Sequence, residues 1–149
     1  MTMSASYVNG RTMRDAAQGL AVNLDTDSIK VALYADAITG QDKNGTETYG
    51  SGAFAANQVS SAGYTAGGTA LSDPTTSTPA SSKWIFREST APTMTWTGVT
   101  FTTRGAVVYD VTASNRVLCA INFGADQAVV AGSFTITWDA VNGIFYATY

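Results

Sequence analysis

Between residues 94 and 149 lie five short runs, 96–101, 106–110, 117–123, 134–138 and 144–149. They are rich in β-branched and aromatic residues, and Gly, Asn, Asp and Ser separate them. That rhythm predicts consecutive antiparallel strands, because branched and aromatic side chains suit a pleated surface and the separators suit turns. In Phe134-Thr135-Ile136-Thr137-Trp138 the apolar side chains fall on alternate positions. Phe134, Ile136 and Trp138 therefore share one face of a strand, and the two threonines share the other. Asn142-Gly143 then supplies a pair that tolerates positive φ, so residues 144–149 are expected to return as the second arm of a hairpin. Such a segment is scaffold and contains no catalytic constellation.

The rest of the chain extends the same pattern. Ile29, Val31, Leu33 and Ala35 alternate, which predicts a strand with one buried face. Met13, Ala16, Ala17, Leu20 and Leu24 recur at helical spacing and predict one short amphipathic helix within residues 11–24, weakened by Gly19 and stopped near Asn23. Residues 36–61 form a long Gly/Ser/Thr/Asn-rich excursion, interrupted at 52–59 by a piece that reads as a brief helix or an extended run. Loops of that length in a compact domain usually serve as contact surfaces. Residues 63–71 are a glycine-dense turn entering a short strand. Residues 72–82 are Pro/Ser/Thr-rich and predict an exposed loop, 83–86 are apolar, and 90–93 connect to the C-terminal strands. Residues 1–10 are small and polar and read as an arm, flexible or ordered only by a neighbour.

Strands near Ile29, Thr69, Trp84, Val99, Val107, Leu118, Phe134 and Phe145 total about eight. This predicts an all-β fold: a single domain over 1–149 forming an antiparallel β-sandwich, jelly-roll-like or a related Greek key, with one short N-terminal helix.

Only 13% of the 149 residues are charged, so the polar surface must come mainly from Thr, Ser, Asn and Gly. Few ionised groups would have to be stripped of water at an interface, which points to a surface that meets other subunits. The net charge of −3 and the lack of a basic run argue against nucleic acid, whose binding needs clustered Lys and Arg. No apolar run is long enough to cross a bilayer as a helix. Residues 1–10 are too polar and too short for a signal peptide, so a cytoplasm-like compartment is expected. Cys119 is the single cysteine, in step with Val117, Ile121 and Phe123, and is expected in the core.

The chain has no histidine, which removes Ser-His-Asp and Cys-His catalysis and the commonest transition-metal ligand. Carboxylate pairs for glycoside hydrolysis would have to come from Asp25 with Asp27, Asp36 with Asp42, or Asp110, Asp126 and Asp139. Each stands at a strand end or turn, where Asp is expected to cap nearby backbone amides. Residues 42–47 only faintly resemble a calcium loop and read as a solvated turn. Asn44-Gly45-Thr46 is a glycosylation triplet expected to stay bare, and Gly67-Gly68 lacks the Lys-Ser/Thr pair of a phosphate cradle. Trp84, Trp96, Trp138 and the tyrosines offer a sugar-binding face, against which stands core or interface packing for Trp96 and Trp138. Arg104 either bridges to a carboxylate or reaches a neighbouring subunit. No catalytic residue, cofactor-binding residue or metal ligand is assigned.

Four segments in order resemble a family of small virion proteins of tailed bacteriophages: residues 26–34, 63–71, 104–110, and Asn122-Phe123-Gly124 with 132–139. The resemblance spans about residues 10–149. It implies a non-enzymatic virion component, foremost a capsid decoration (cement) protein that binds the major capsid protein on the outside of an icosahedral head. It further implies self-association, often as a homotrimer, with host cytoplasm as the place of assembly and no nucleic-acid or membrane partner. A neck, tail or head-fibre position is the alternative within that family, and a carbohydrate-binding β-sandwich module is the alternative outside it. The chain departs from many relatives in having Ser89-Thr90-Ala91 where they place an acidic pair. On this reading, residues 1–10 and 36–61 are the expected contacts to the shell or to a neighbouring protomer.

Overall fold

The computed structural model describes residues 2–3, 7–36, 38, 44–80, 82–89 and 93–148. Two sheets and one helix make up the fold. Strands β1 (Thr2–Met3), β2 (Tyr7–Val8), β3 (Ile29–Tyr34), β4 (Thr69–Ala70), β7 (Thr93–Asp110) and β8 (Arg116–Trp138) form the large sheet. Its order is β1-β8-β7-β3-β4, with β2 also on β8. Strands β5 (Pro74–Ala80), β6 (Lys83–Glu88) and β9 (Phe145–Thr148) form the small sheet in the order β5-β6-β9. Every pairing is antiparallel except β1 with β8. The all-β, two-sheet expectation holds.

The strand boundaries differ from those read in the sequence. Residues 96–101 and 106–110 belong to one 18-residue strand, and 117–123 and 134–138 to one 23-residue strand. Glycines that look like breaks are absorbed as irregularities instead. Gly98 (φ +66) sits where the register shifts between Trp96 and Val99, and Gly124 (φ +78) sits in an insertion facing Arg104. An added residue on one strand bends the ladder without ending it. Pro74–Ala80, expected as a loop, is a strand. Its prolines are tolerated because β5 is the outermost strand of its sheet. The Asn142-Gly143 turn forms, with Gly143 at φ +64 and Asp139 Oδ1 accepting from the Val141 and Asn142 amides at 2.8 and 2.6 Å. The chain that leaves it does not return to β8. It pairs with β6, from Lys83↔Thr148 to Phe86↔Phe145, so the turn carries the chain between sheets.

The two sheets enclose a core that includes Val31, Leu33, Phe86, Trp96, Leu118, Ile121, Ile136, Trp138 and Phe145. A second cluster lies on the other face of the large sheet. There Ala32, Tyr34, Val107, Tyr109, Val117 and Ala120 are covered by Phe54, with Tyr7, Ile38 and Tyr49 packed around them. Hence β3 is buried on both faces rather than one, and Ala35 lies exposed beyond its end. The excursion supplies this cover: the Gly52–Phe54 3₁₀ turn presents Phe54, whose carbonyl accepts from Tyr34 Oη at 2.9 Å. Tyr49 stacks on Tyr109 at 4.2 Å between ring centroids. Residues 37 and 39–43 of the excursion, 81 of the expected loop and 90–92 of the expected connection lie outside the described residues, as do 1 and 4–6 of the arm. The rest of the arm is ordered by its own chain, through β1 and β2 on β8.

Candidate functional site

The helix positions the first candidate surface. Helix α1 (Gly10–Ala17) starts at Asn9, whose side chain accepts from the Thr12 amide at 2.9 Å. It ends early because Gly19 takes φ +65 and turns the chain out of the helix. The helix docks on β8 through polar groups. Thr12 Oγ1 donates to the Val117 carbonyl at 2.9 Å, and Asp15 takes Arg116 Nη1 at 2.6 Å and Arg14 Nη2 at 2.5 Å. Hydrogen bonding from Arg14 leads in holding the Asp15 carboxyl below the usual carboxylate range, with Arg116 adding to it. The apolar stripe that signals the helix in the sequence is left partly uncovered.

That stripe walls a groove of about 950 Å³ at the open end of the sandwich. Met13, Ala16, Ala17 and Leu20 form one side, and Trp84, Phe145, Tyr146 and Ala147 form the other. Leu20 is 67% exposed and Tyr146 47%, large values for apolar and aromatic side chains. Asp25 and Asp27 stand in the wall, and no Lys or Arg lines it.

The Asp residues fall mostly where turn chemistry predicts. Asp25 clasps Thr76 through its amide (2.6 Å) and hydroxyl (3.0 Å), and Asp27 Oδ2 accepts from the Asn23 amide at 2.7 Å. Asp126 pairs with Arg104 at 3.1 Å, a bridge within the chain, and Asp139 caps its own turn. Asp42 lies outside the described residues. One pairing was not foreseen: Asp110, fully buried, faces Asp27. Burial, with Asp27 adding to it, pushes the Asp110 carboxyl up to about 6, against the Ala113 amide that donates to Oδ1 at 2.9 Å. The signal was available in principle. The Ile29↔Asp110 register places Asp27 just beyond the paired ends of β3 and β7. It needed the register, which the sequence does not contain.

The aromatic residues divide cleanly. Trp96 and Trp138 are buried, with Trp96 Nε1 donating to Thr69 Oγ1 at 2.9 Å; Trp84 lines the groove beside α1, and Trp138 borders a smaller pocket with Arg87, Glu88 and Asp139. Tyr64 is buried with its hydroxyl accepting from the Leu33 amide, and burial pushes its phenol up to about 12. Cys119 is fully buried in the core and burial pushes its thiol up, which leaves it inert as a nucleophile. Among the described residues no group of three or more Cys, Asp or Glu side chains converges as a metal site. No helix among them is long and apolar enough to cross a membrane.

The second candidate surface is the outer face of the distal part of the β7–β8 hairpin. Opposite the buried Met94, Trp96, Phe134 and Ile136 it presents Thr93, Thr95, Thr135 and Thr137, with Thr95 and Thr135 hydroxyls 2.9 Å apart, and farther along it Thr100, Thr102 and Val130, the last 79% exposed. None of these side chains is charged. Comparison with protein-family models, with curated proteins and with solved structures finds no match for this chain.

Proposed function

We propose that this chain is a non-enzymatic structural component of a tailed-phage virion, a capsid decoration protein that self-associates, as a homotrimer, on the outer surface of the head and strengthens it. The observation that carries this reading is the uncharged threonine face of the β7–β8 hairpin. It lies on the two longest strands of the fold and is backed by Trp96 and Phe134. A face of hydroxyls and methyl groups gives up less hydration than a charged face when covered, so a shallow contact can form there without stripping water from ions. Trimeric valency would multiply many modest contacts, because tethered copies bind as if at high local concentration. The described Asp side chains serve as caps, clasps or ion-pair partners, which suits a building block better than a hydrolase.

The test is a head-stabilisation assay with purified chain added to heads that lack it. The wild-type chain is expected to bind in multiples of three per lattice site and to raise the temperature at which heads release DNA. Thr95→Glu with Thr135→Glu is expected to keep the melting temperature of the free chain and to lose head binding. Unimpaired binding by that double variant would remove the threonine face from the contact, and absence of any binding by wild type would sink the reading.

A further inference from the structure

The groove has a feature that an ordinary apolar patch lacks: an open strand edge along one wall. Phe145, Tyr146 and Ala147 are consecutive, so their side chains alternate between the two faces of β9, yet all three line the groove. A groove lined by both faces of a strand runs along that strand's edge. β9 is the terminal strand of its sheet and pairs with β6 alone, so among the described residues its outer N–H and C=O groups have no strand beside them. The opposite wall is the apolar stripe of α1 and Leu20, and the far end carries Asp25 and Asp27, with buried Asp110 behind Asp27 and no cation in the lining.

We infer that this groove receives an extended segment of a partner protein, which adds as a strand to the edge of β9, inserts apolar side chains against Trp84, Met13 and Leu20, and places a lysine or arginine at Asp27. Strand addition supplies backbone hydrogen bonds that are indifferent to sequence, and side-chain pockets on alternate positions supply the selection. A four-residue edge accommodates about 13 Å of added strand, at roughly 3.3 Å per residue. The charge requirement follows from the lining. Two carboxylates face the groove and a third stands behind them, so a cationic residue relieves their mutual repulsion, and an anionic one adds to it. Lys83, the nearest cation on β6, is already engaged with the Val141 carbonyl, the Asn142 side chain and the Tyr146 ring. This inference does not depend on a virion location.

The experiment titrates the isotopically labelled full chain with three acetylated, amidated hexapeptides of alternating valine and threonine, whose last residue is lysine, glutamate or norleucine. The expected result is amide shifts at 145–148 and at Met13, Leu20 and Asp27 across the groove, with a shift of the Trp84 indole, and the lysine peptide binding at least tenfold tighter than the glutamate peptide. Asp27→Asn is expected to bring that ratio towards one. Leu20→Arg, which puts a cation into the groove from an exposed position, is expected to abolish lysine-peptide binding and to leave the β7–β8 shifts in place. A lysine peptide N-methylated at alternate residues, in either register, is expected to lose binding in the register that faces β9. Equal binding by both methylated peptides would overturn strand addition. Equal binding of lysine and glutamate peptides would overturn the charge assignment. Silence at β9 with all three peptides, or binding there by octylammonium instead, would overturn the peptide site.

Discussion

The β7–β8 hairpin has two halves that obey different rules. In the half next to its turn, Ala106 to Asp110 pair with Arg116 to Ile121, and almost every residue is buried. In the distal half, Thr93 to Trp96 pair with Phe134 to Thr137, and burial alternates. The difference lies in what covers the outer face. Phe54, Tyr49 and Tyr7 cover the first, whereas on the second Thr93 and Thr95 are exposed and Thr135 and Thr137 half-buried. The sequences match their settings. Ala106-Val107-Val108-Tyr109 and Val117-Leu118-Cys119-Ala120-Ile121 are continuous apolar runs, as strands buried on both faces are. Thr93-Met94-Thr95-Trp96 and Ser133-Phe134-Thr135-Ile136-Thr137-Trp138 alternate. One ladder of hydrogen bonds thus lies in the core at one end and turns a face of threonines outward at the other.

Removing the cover gives the largest expected effect. Phe54→Ala deletes a fully buried ring from the outer cluster and is expected to cost about 3–5 kcal/mol, read as a lowered midpoint in urea unfolding. A loss under about 1 kcal/mol would mean the excursion does not seal this face. Val107→Thr, which buries a hydroxyl under that cover, is expected to cost about 1–3 kcal/mol in the same assay.

Asp110 ends the first half and probes its dryness. Its carboxyl keeps a proton in the folded chain, up to about 6, where the unfolded chain has already released it near 3.8. Stability is therefore expected to fall as pH rises from about 4 to about 6 and to level off above that. Asp15, held low by its arginines, acts with the opposite sign, its contribution being present at neutral pH and lost as pH drops through its lowered value. Asp110→Asn keeps the acceptor for the Ala113 amide and is expected to flatten the decline. At pH 7 it should gain about 1–3 kcal/mol, by the cost of two pKa units. An unchanged pH profile would place the carboxyl in contact with water. The smallest effect belongs to the distal face, where Thr135→Val is expected to change stability by less than about 0.5 kcal/mol.

The β character, the start of the helix and the burial of Cys119, Trp96 and Trp138 were legible because each rests on local periodicity, whereas the helix read over 11–24 ends at Ala17. The length of β7 and β8 was not. Gly98, Gly124 and Gly132 look like breaks, and only the pairing partner reveals that the ladder continues past them. Residues 36–61 read as an outward contact surface because Tyr49 and Phe54 sit among small polar residues. Their cover role emerges only once the outer face of β3 needs closing. The helical stripe was visible, but its face was not, since the anchors are Thr12 and Asp15 and the apolar residues border the groove. The arm also changes meaning. Asn9 caps α1 and its amide donates to the Leu118 carbonyl at 2.8 Å, so deleting residues 1–10 would injure the fold as well as any contact.

The central claim is that this chain works by covering a larger shell. Electron cryomicroscopy of particles purified from the cells that make it tests this most directly. The account predicts β-rich density in trimers, repeated over the outside of an icosahedral head, with the threonine face of β7–β8 at the contact. Particles without this density, or density confined to a single ring at a neck or tail, would contradict it.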